Sequence, residues 1–487
     1  MNKSESNVDL NNRLKNTLKS SFVYIPSKLI PGILGLLLIR FLTAYFSQEE
    51  YGYYQIGLST FGFIQVFSVM WLSSSVSRFY IAYKNRNKLD IFLSTLVITS
   101  FVGIVIVTLF SFVLNVLVFK SKLSLQLFGI LNMVIIASFA SSFFMIFIQV
   151  YRASFRAKLY SILWSLFSLG KFIVSVILVL YWGVKAEAVF IAFSVVSLFV
   201  FGFITFNLNL KSVLKFKAVS FNLMKEFIKY GLPFSLSFLS FWVLSLSDRY
   251  LIGILADASQ VGLYSVGYTI SENTLKFVYM ILMLAAYPLI IDSWEKNGNF
   301  RTQQLITGQT RFFFLICSPL LTILVSIPKH ILLIFSDRSF IEGSTVLPMI
   351  ALGIFLFGLS QYLIKGFELQ KQSYKITLVA LIGSITNVSL NFILIPKLGY
   401  FGAAISALIA YVCYFIAVYL LSRPILEWIP PVKSIVKVAA ASIIFGIFLN
   451  ISSSFFSNLI VVVFLLIPSG IILYMAVLFD LERIAVL

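Results

Sequence analysis

The sequence predicts an all-α integral membrane protein of about fourteen transmembrane helices. They are expected as two pseudo-symmetric six-helix lobes around a central cleft, plus two extra C-terminal helices. Three observations carry that expectation. The chain is overwhelmingly apolar, its apolar residues fall into stretches of membrane-spanning length, and its first half is echoed in its second. Of 487 residues, 60% are hydrophobic and 11% charged, and the mean hydropathy is +0.99. Soluble domains are about half apolar and a quarter charged, so a chain this apolar cannot hide its surface from water.

Crossing the hydrocarbon core takes roughly 20 mostly apolar residues in helical form. Such stretches lie near 20–42, 54–79, 91–118, 124–150, 159–182 and 188–208, and again near 231–255, 263–290, 312–335, 345–367, 375–396 and 400–421. Two more follow near 434–452 and 457–479. All are continuously apolar, whereas the strands of a membrane barrel alternate apolar and polar residues. Met1 to Ser20 is polar and basic, with no cleavable signal pattern, so the first stretch is expected to stay as an anchor. Cys317 and Cys413 fall inside apolar stretches and predict neither a disulfide nor a metal site.

The formal net charge of +19 would suggest nucleic acid in a soluble protein. Its distribution points to topology instead. One side collects the tail (Lys3, Arg13, Lys15, Lys19) and the connections after the second, fourth and sixth stretches (Lys84 to Lys88, Arg152 to Lys158, Lys211 to Lys229). With the later loops and Arg483, that side holds 25 Lys and Arg. The other side holds six: Lys120, Lys122, Lys185, Lys329, Arg338 and Lys397. The positive-inside rule then puts both termini in the cytoplasm, and nucleic acid is not an expected partner. In the segment Lys211 to Lys229, lysines interleave with Val213, Leu214, Phe216, Leu223, Phe227 and Ile228. It reads either as a basic loop that fixes topology or as an amphipathic strip along the inner leaflet.

The repeat shows in ordered pairs of motifs. Arg40-Phe41-Leu42 followed by Tyr51-Gly52-Tyr53-Tyr54 returns as Arg249-Tyr250-Leu251 followed by Val261-Gly262-Leu263-Tyr264. Tyr24-Ile25-Pro26 has a rough partner in Tyr230-Gly231-Leu232-Pro233, and Tyr181-Trp182-Gly183-Val184 in Lys397-Leu398-Gly399-Tyr400. Six stretches separate equivalent points, an even number, so the copies share one orientation about an axis along the membrane normal. The expected division is a lobe at 1–210, a basic linker at 211–230, a second lobe at 231–422, and two further helices with a tail at 423–487. Two lobes about a midplane site is the arrangement that alternating access requires.

These residues resemble a family. Phe46-Ser47-Gln48-Glu49-Glu50-Tyr51-Gly52-Tyr53-Tyr54, after a basic tail and a first helix, looks like the opening of the Wzx-type polysaccharide flippases. Tyr230 to Phe234, Ser247-Asp248-Arg249 and Val261 to Ser265 resemble the start of that family's second lobe. Asn391 through Pro396 and Gly399 to Ala404 resembles its turn between the eleventh and twelfth helices. The resemblance covers essentially the whole chain and places it in the multidrug, oligosaccharidyl-lipid and polysaccharide exporter superfamily. It implies translocation of an undecaprenyl-pyrophosphate-linked glycan from the cytoplasmic to the outer leaflet of a bacterial inner membrane, for O-antigen, capsule, exopolysaccharide or peptidoglycan synthesis. It leaves room for H+ or Na+ as coupling ion and a polysaccharide polymerase as partner, besides membrane lipids, and implies no cofactor. A lipid II flippase and an ion-coupled multidrug exporter stand as alternatives within the superfamily.

Ionisable groups inside spanning helices are functional candidates, because each costs several kcal/mol to hold there. Lys28, Lys171, Asp248, Arg249, Glu272 and Lys276 qualify, with Arg40 and Arg78 nearer helix ends. A pyrophosphate crossing the bilayer needs cationic partners, so Lys28, Arg249, Lys171, Lys276 and Arg40 are candidate substrate contacts. Lys28 lies between Pro26 and Pro31, which would kink the first helix and free carbonyls; the plainer reading is snorkelling to headgroups. Asp248 and Glu272 are candidate coupling-ion carboxylates. The plainer readings are an ion-pair network around Asp248 and Arg249, an i,i+4 salt bridge between Glu272 and Lys276, pairing of Arg40 with Glu49 or Glu50, and an interfacial anchor at Arg78. Most of the 51 Phe and 23 Tyr are lipid-facing bulk and interface belts, with some tyrosines free to stack on sugars. A membrane glycosyltransferase or polymerase is the remote alternative, and an enzyme is not expected: the chain has no HExxH, Walker A, GxSxG or CxxC pattern, no sizeable extramembrane domain, and a single histidine, His330.

Overall fold

The computed structural model describes residues 23–119, 124–183, 185–210, 214–456 and 458–484. The basic tail before Ser20 and the residues Lys120, Lys122, Val184, Lys211 and Val213 lie outside the described residues. Among the described residues, twelve helices are long and apolar enough to cross a membrane. Two of them are double, because the backbone leaves the helical region at Gly298 (φ 71) and at Gly399 (φ 58). The fold is therefore all-helical, with fourteen long apolar segments among the described residues, as the apolar stretches predict.

In order they are α1 (Pro26–Tyr45), α2 (Gln48–Asn85), α3 (Leu89–Leu117), α4 (Leu125–Ala153), α5 (Ala157–Trp182), α6 (Ala186–Asn207) and α7 (Phe221–Leu246). Then come α8 (258–297), α9 (299–326), α10 (Val346–Leu363), α11 (373–398), α12 (400–422), α13 (Val432–Phe455) and α14 (Leu459–Phe479). Contacts divide the chain into two compact units: Val23–Leu34 with Tyr45–Gly253, and Gly35–Ala44 with Ile254–Leu487.

Several boundaries differ from the apolar pattern, each for a local reason. Helix α7 begins at Phe221, ten residues before its apolar stretch, because the Ser220 hydroxyl caps it by accepting the Leu223 amide at 3.3 Å. Leu223 and Phe227 are buried. Phe227 meets the Phe92 ring at 5.6 Å, and its carbonyl accepts the Ser75 hydroxyl at 2.9 Å. The second half of the expected basic strip is thus a helix with one buried edge, Leu223 and Phe227, while Phe221, Lys225, Ile228 and Lys229 stay exposed. Helix α7 stops at Leu246, and Asp248 opens a separate short helix, Asp248–Leu255. Helix α9 ends at Ser326 because Pro328 cannot continue it and instead starts the short helix Pro328–Phe335.

Within each unit the helices meet through small and polar residues. That is the expectation in lipid, where apolar side chains gain nothing by leaving the bilayer for one another. In the unit that holds α2, α4 and α6, Ser197 donates to Ser141 at 2.9 Å and Ser142 to Gln65 at 3.3 Å. In the unit that holds α8, α10 and α12, the Tyr268 and Tyr411 hydroxyls lie 2.9 Å apart, and Ser271 donates to the Leu347 carbonyl at 3.1 Å.

One device occurs twice. Helix α2 opens on an N-cap in which the Ser47 hydroxyl accepts the Glu50 amide at 3.2 Å. The Glu50 side chain then reaches Lys185, 3.1 Å away, just past the turn at Gly183 (φ 59). Helix α8 opens on Asp257, which accepts the Gln260 amide at 2.9 Å. The Gln260 side chain accepts the Tyr400 amide at 3.0 Å, just past the turn at Gly399. Both glycines need positive φ, which an L side chain adopts only with strain. The two turns are those that the sequence pairs as repeats.

Candidate functional site

The unit that contains α5 and α7 carries Lys28, Lys171, Asp248 and Arg249; the other carries Arg40, Glu272 and Lys276. Lys28 sits in α1 between Pro26 and Pro31, half-buried, with interactions of its own. Lys171, halfway along α5, places its ammonium 4.5 Å from the centre of the Phe193 ring on α6. Phe193 belongs to an aromatic cluster with Phe61 at 4.9 Å and Phe167 at 5.9 Å. A cation over a ring face recovers about 0.5–2 kcal/mol, only part of what a lysine gives up at the bilayer centre.

Asp248 and Arg249 are both fully buried where α7 breaks into the short helix. The Arg249 guanidinium donates to the Ser245 carbonyl at 2.9 Å, one of the backbone acceptors near the end of α7. Beside it, the Tyr250 and Thr60 hydroxyls are 2.5 Å apart, Trp242 donates to the Ser59 carbonyl at 2.9 Å, and Trp242 and Tyr250 rings lie 5.8 Å apart. This aromatic and hydroxyl-rich patch has no signature in the sequence. Trp242, Thr60 and Tyr250 are ordinary spanning-helix residues in sequence, and only the fold brings them together.

Glu272 and Lys276 form an i,i+4 ion pair at 2.6 Å. Arg40 does not pair with Glu49 or Glu50. Its guanidinium donates to the Ser336 carbonyl, while Glu49 accepts from Tyr53 at 2.8 Å and Glu50 takes Lys185. Arg78 is exposed near the end of α2. Lys365, at the end of the tenth apolar stretch, is buried, paired with Glu368 at 2.7 Å and placed 4.6 Å from the centre of the Tyr287 ring. No group of three or more His, Cys, Asp or Glu able to hold a metal occurs among the described residues.

Arg40 belongs to a loop lock that predicts a pH response. The Thr43 hydroxyl accepts the Asp337 amide at 3.0 Å, and the Asp337 carboxylate accepts both the amide and the hydroxyl of Ser339 at 2.9 Å. These bonds to Ser339 hold the Asp337 carboxyl below its ordinary value, with Arg40 adding less. A depressed folded value contributes stability above the unfolded value of about 3.9 and loses it as pH falls through the folded one. Amides 338–340 are expected to exchange faster, relative to their intrinsic rates, below that range. Asp337→Ala is expected to show the same loosening at neutral pH; protection unchanged by either would remove the lock.

The polysaccharide biosynthesis protein family matches the chain over residues 17–294. No curated protein sequence matches it. Solved structures do. Lipid II flippase MurJ in an inward closed conformation superposes with a TM-score of 0.75 at 16% identity, covering 96% of this chain and 98% of that one. A multidrug resistance MATE family transporter of the MOP superfamily, inward-facing, gives 0.69 at 15% identity, covering 83% and 94%. A MOP superfamily transporter from Pyrococcus furiosus gives 0.60 at 15% identity, covering 84% and 95%. At these identities the likeness is one of fold. Together with the fourteen apolar helices, these matches show that the chain is a multi-pass membrane protein that belongs to the polysaccharide biosynthesis protein family and has the fold of MOP-superfamily transporters.

Proposed function

We propose that this protein flips an undecaprenyl-pyrophosphate-linked oligosaccharide from the cytoplasmic to the outer leaflet of a bacterial inner membrane, both termini being cytoplasmic. The observation that carries the reading is a family match to polysaccharide biosynthesis on a chain whose spanning helices carry more cations than carboxylates. Lys28, Lys171 and Arg249 suit a diphosphate, and the Trp242–Tyr250 patch suits a sugar face. The repeated capping device fits two copies of one ancestral lobe moving in alternating access, with H+ or Na+ at Asp248 or Glu272 as the driving ion. Lys276, neutralised by Glu272, and Arg40, held on a carbonyl, are the weaker substrate contacts.

The test is complementation of a host lacking its polysaccharide flippase. Wild type is expected to restore surface polymer, Lys28→Ala to drop it to the empty-vector level at equal membrane abundance, and Lys28→Arg to keep most of it. Rescue of a lipid II flippase deletion or drug resistance, without surface polymer, would move the cargo to another branch of the superfamily. Normal export by Lys28→Ala would make that lysine a headgroup anchor.

A further inference from the structure

A groove of about 390 Å³ runs between the start of α1 and the first half of α5, within one unit. Its walls are Pro26 and Ile30 on one side and Ile162, Leu166 and Leu169 on the other. The three α5 residues are 43–51% exposed. The wall offers almost no hydrogen-bonding group. Pro26 has no N–H, and the Ser161 hydroxyl is spent on the Val23 carbonyl at 2.5 Å. The Ser165 hydroxyl, also lining the groove, is buried and has no partner. Such a surface repels water and fits a hydrocarbon chain.

One end of the groove is basic. Lys158 lines it, and Arg152 and Arg156 belong to the same connection between α4 and α5. None of the three is paired with a carboxylate among the described residues. The sequence from Tyr151 to Tyr160 contains no acidic residue. Tyr24 and Tyr160 meet edge to face at 5.5 Å beside Arg152, and Phe155 is 82% exposed. Aromatic rings with basic side chains mark the headgroup level of a membrane.

We propose that this groove is a phospholipid site, holding one acyl chain against α1 and α5 with an anionic headgroup on Lys158, Arg152 and Arg156. Charge decides the headgroup, since three cations without carboxylate partners favour phosphatidylglycerol over a zwitterionic lipid. Size decides the tail. The volume lies at the lower end of the roughly 300–1,000 Å³ of small-ligand pockets, room for a single chain rather than for a long polyprenyl carrier. The site does not depend on what cargo the protein carries.

The full chain, purified from mixed vesicles of phosphatidylglycerol and phosphatidylcholine, would be examined by native mass spectrometry for retained lipid. Wild type is expected to keep one phosphatidylglycerol, preferred over phosphatidylcholine by roughly fivefold for each basic side chain engaged. Ser165→Phe, which fills the groove, is expected to lose that lipid. Lys158→Gln, an exposed change that leaves the fold alone, is expected to keep a lipid while the preference falls about fivefold. An unchanged preference in Lys158→Gln, equal retention by a folded Ser165→Phe, or a co-purified polyprenyl phosphate in place of the phospholipid would each overturn the proposal.

Discussion

Gly267→Ala and Gly343→Ala are expected to destabilise the protein by about 3 kcal/mol each, although alanine is the better helix former by about 0.5–1 kcal/mol. A Cβ at Gly267 would lie 2.5 Å from the Gly343 carbonyl oxygen and 2.8 Å from Cβ of Val346. A Cβ at Gly343 would strike the Leu263 carbonyl oxygen. In both cases the obstacle is backbone, which has no rotamer to swing away, so α8 and the turn Arg338–Thr345 leading into α10 must separate. Overpacking costs about 1–3 kcal/mol and more where nothing yields. Separation would also stretch the bond from Ser271 to the Leu347 carbonyl, with interhelical bonds of this kind worth about 0.6 kcal/mol. Gly129→Ala and Gly308→Ala are the controls, because a Cβ there meets nothing within 4 Å. Thermal unfolding in detergent is expected to leave the controls at or above wild type and to lower the melting temperature of the first two clearly. Equal melting of all four would mean that the close approach contributes nothing.

The fold was legible in sequence because apolar content over a span is additive and needs no partner. Fourteen stretches give fourteen segments, even though Gly298 and Gly399 are the only breaks between two pairs of them. Ends were less legible, because they depend on one cap or one core contact. The Ser220 cap and the burial of Phe227 pull α7 back into a segment whose composition reads as a basic loop. The candidate site divides the same way. An ionisable residue within an apolar stretch is visible at once, and so is a partner four residues away, as with Glu272 and Lys276. Partners from distant helices are not. Arg40 finds a carbonyl at Ser336, and Lys171 finds the ring of Phe193. Glycines such as Gly267 carry no signal of the backbone they approach, since a small residue in a spanning helix is common whether or not another helix touches it.

Lys171→Leu is expected to stabilise the protein while abolishing transport. A lysine at the centre of a spanning helix costs about 2.5–3.5 kcal/mol on insertion scales, and the Phe193 contact returns about 0.5–2 kcal/mol. Leucine at such a position is itself favourable by a few tenths of a kcal/mol. The difference leaves a gain of about 1–3 kcal/mol, with the shorter side chain still filling the space beside Phe61, Phe167 and Phe193. If the ammonium takes no part in transport, the gain in melting temperature comes without loss of function. If it meets the diphosphate of the cargo, surface polymer in the complementation assay falls to the empty-vector level in a protein that is more stable than wild type. Lys171→Arg separates charge from shape, since it keeps the cation but needs more room over the ring and is expected to recover part of the export. Loss of export with a lowered melting temperature would assign Lys171 to packing, because a site retained against its own energetic cost must be one whose removal stabilises the chain.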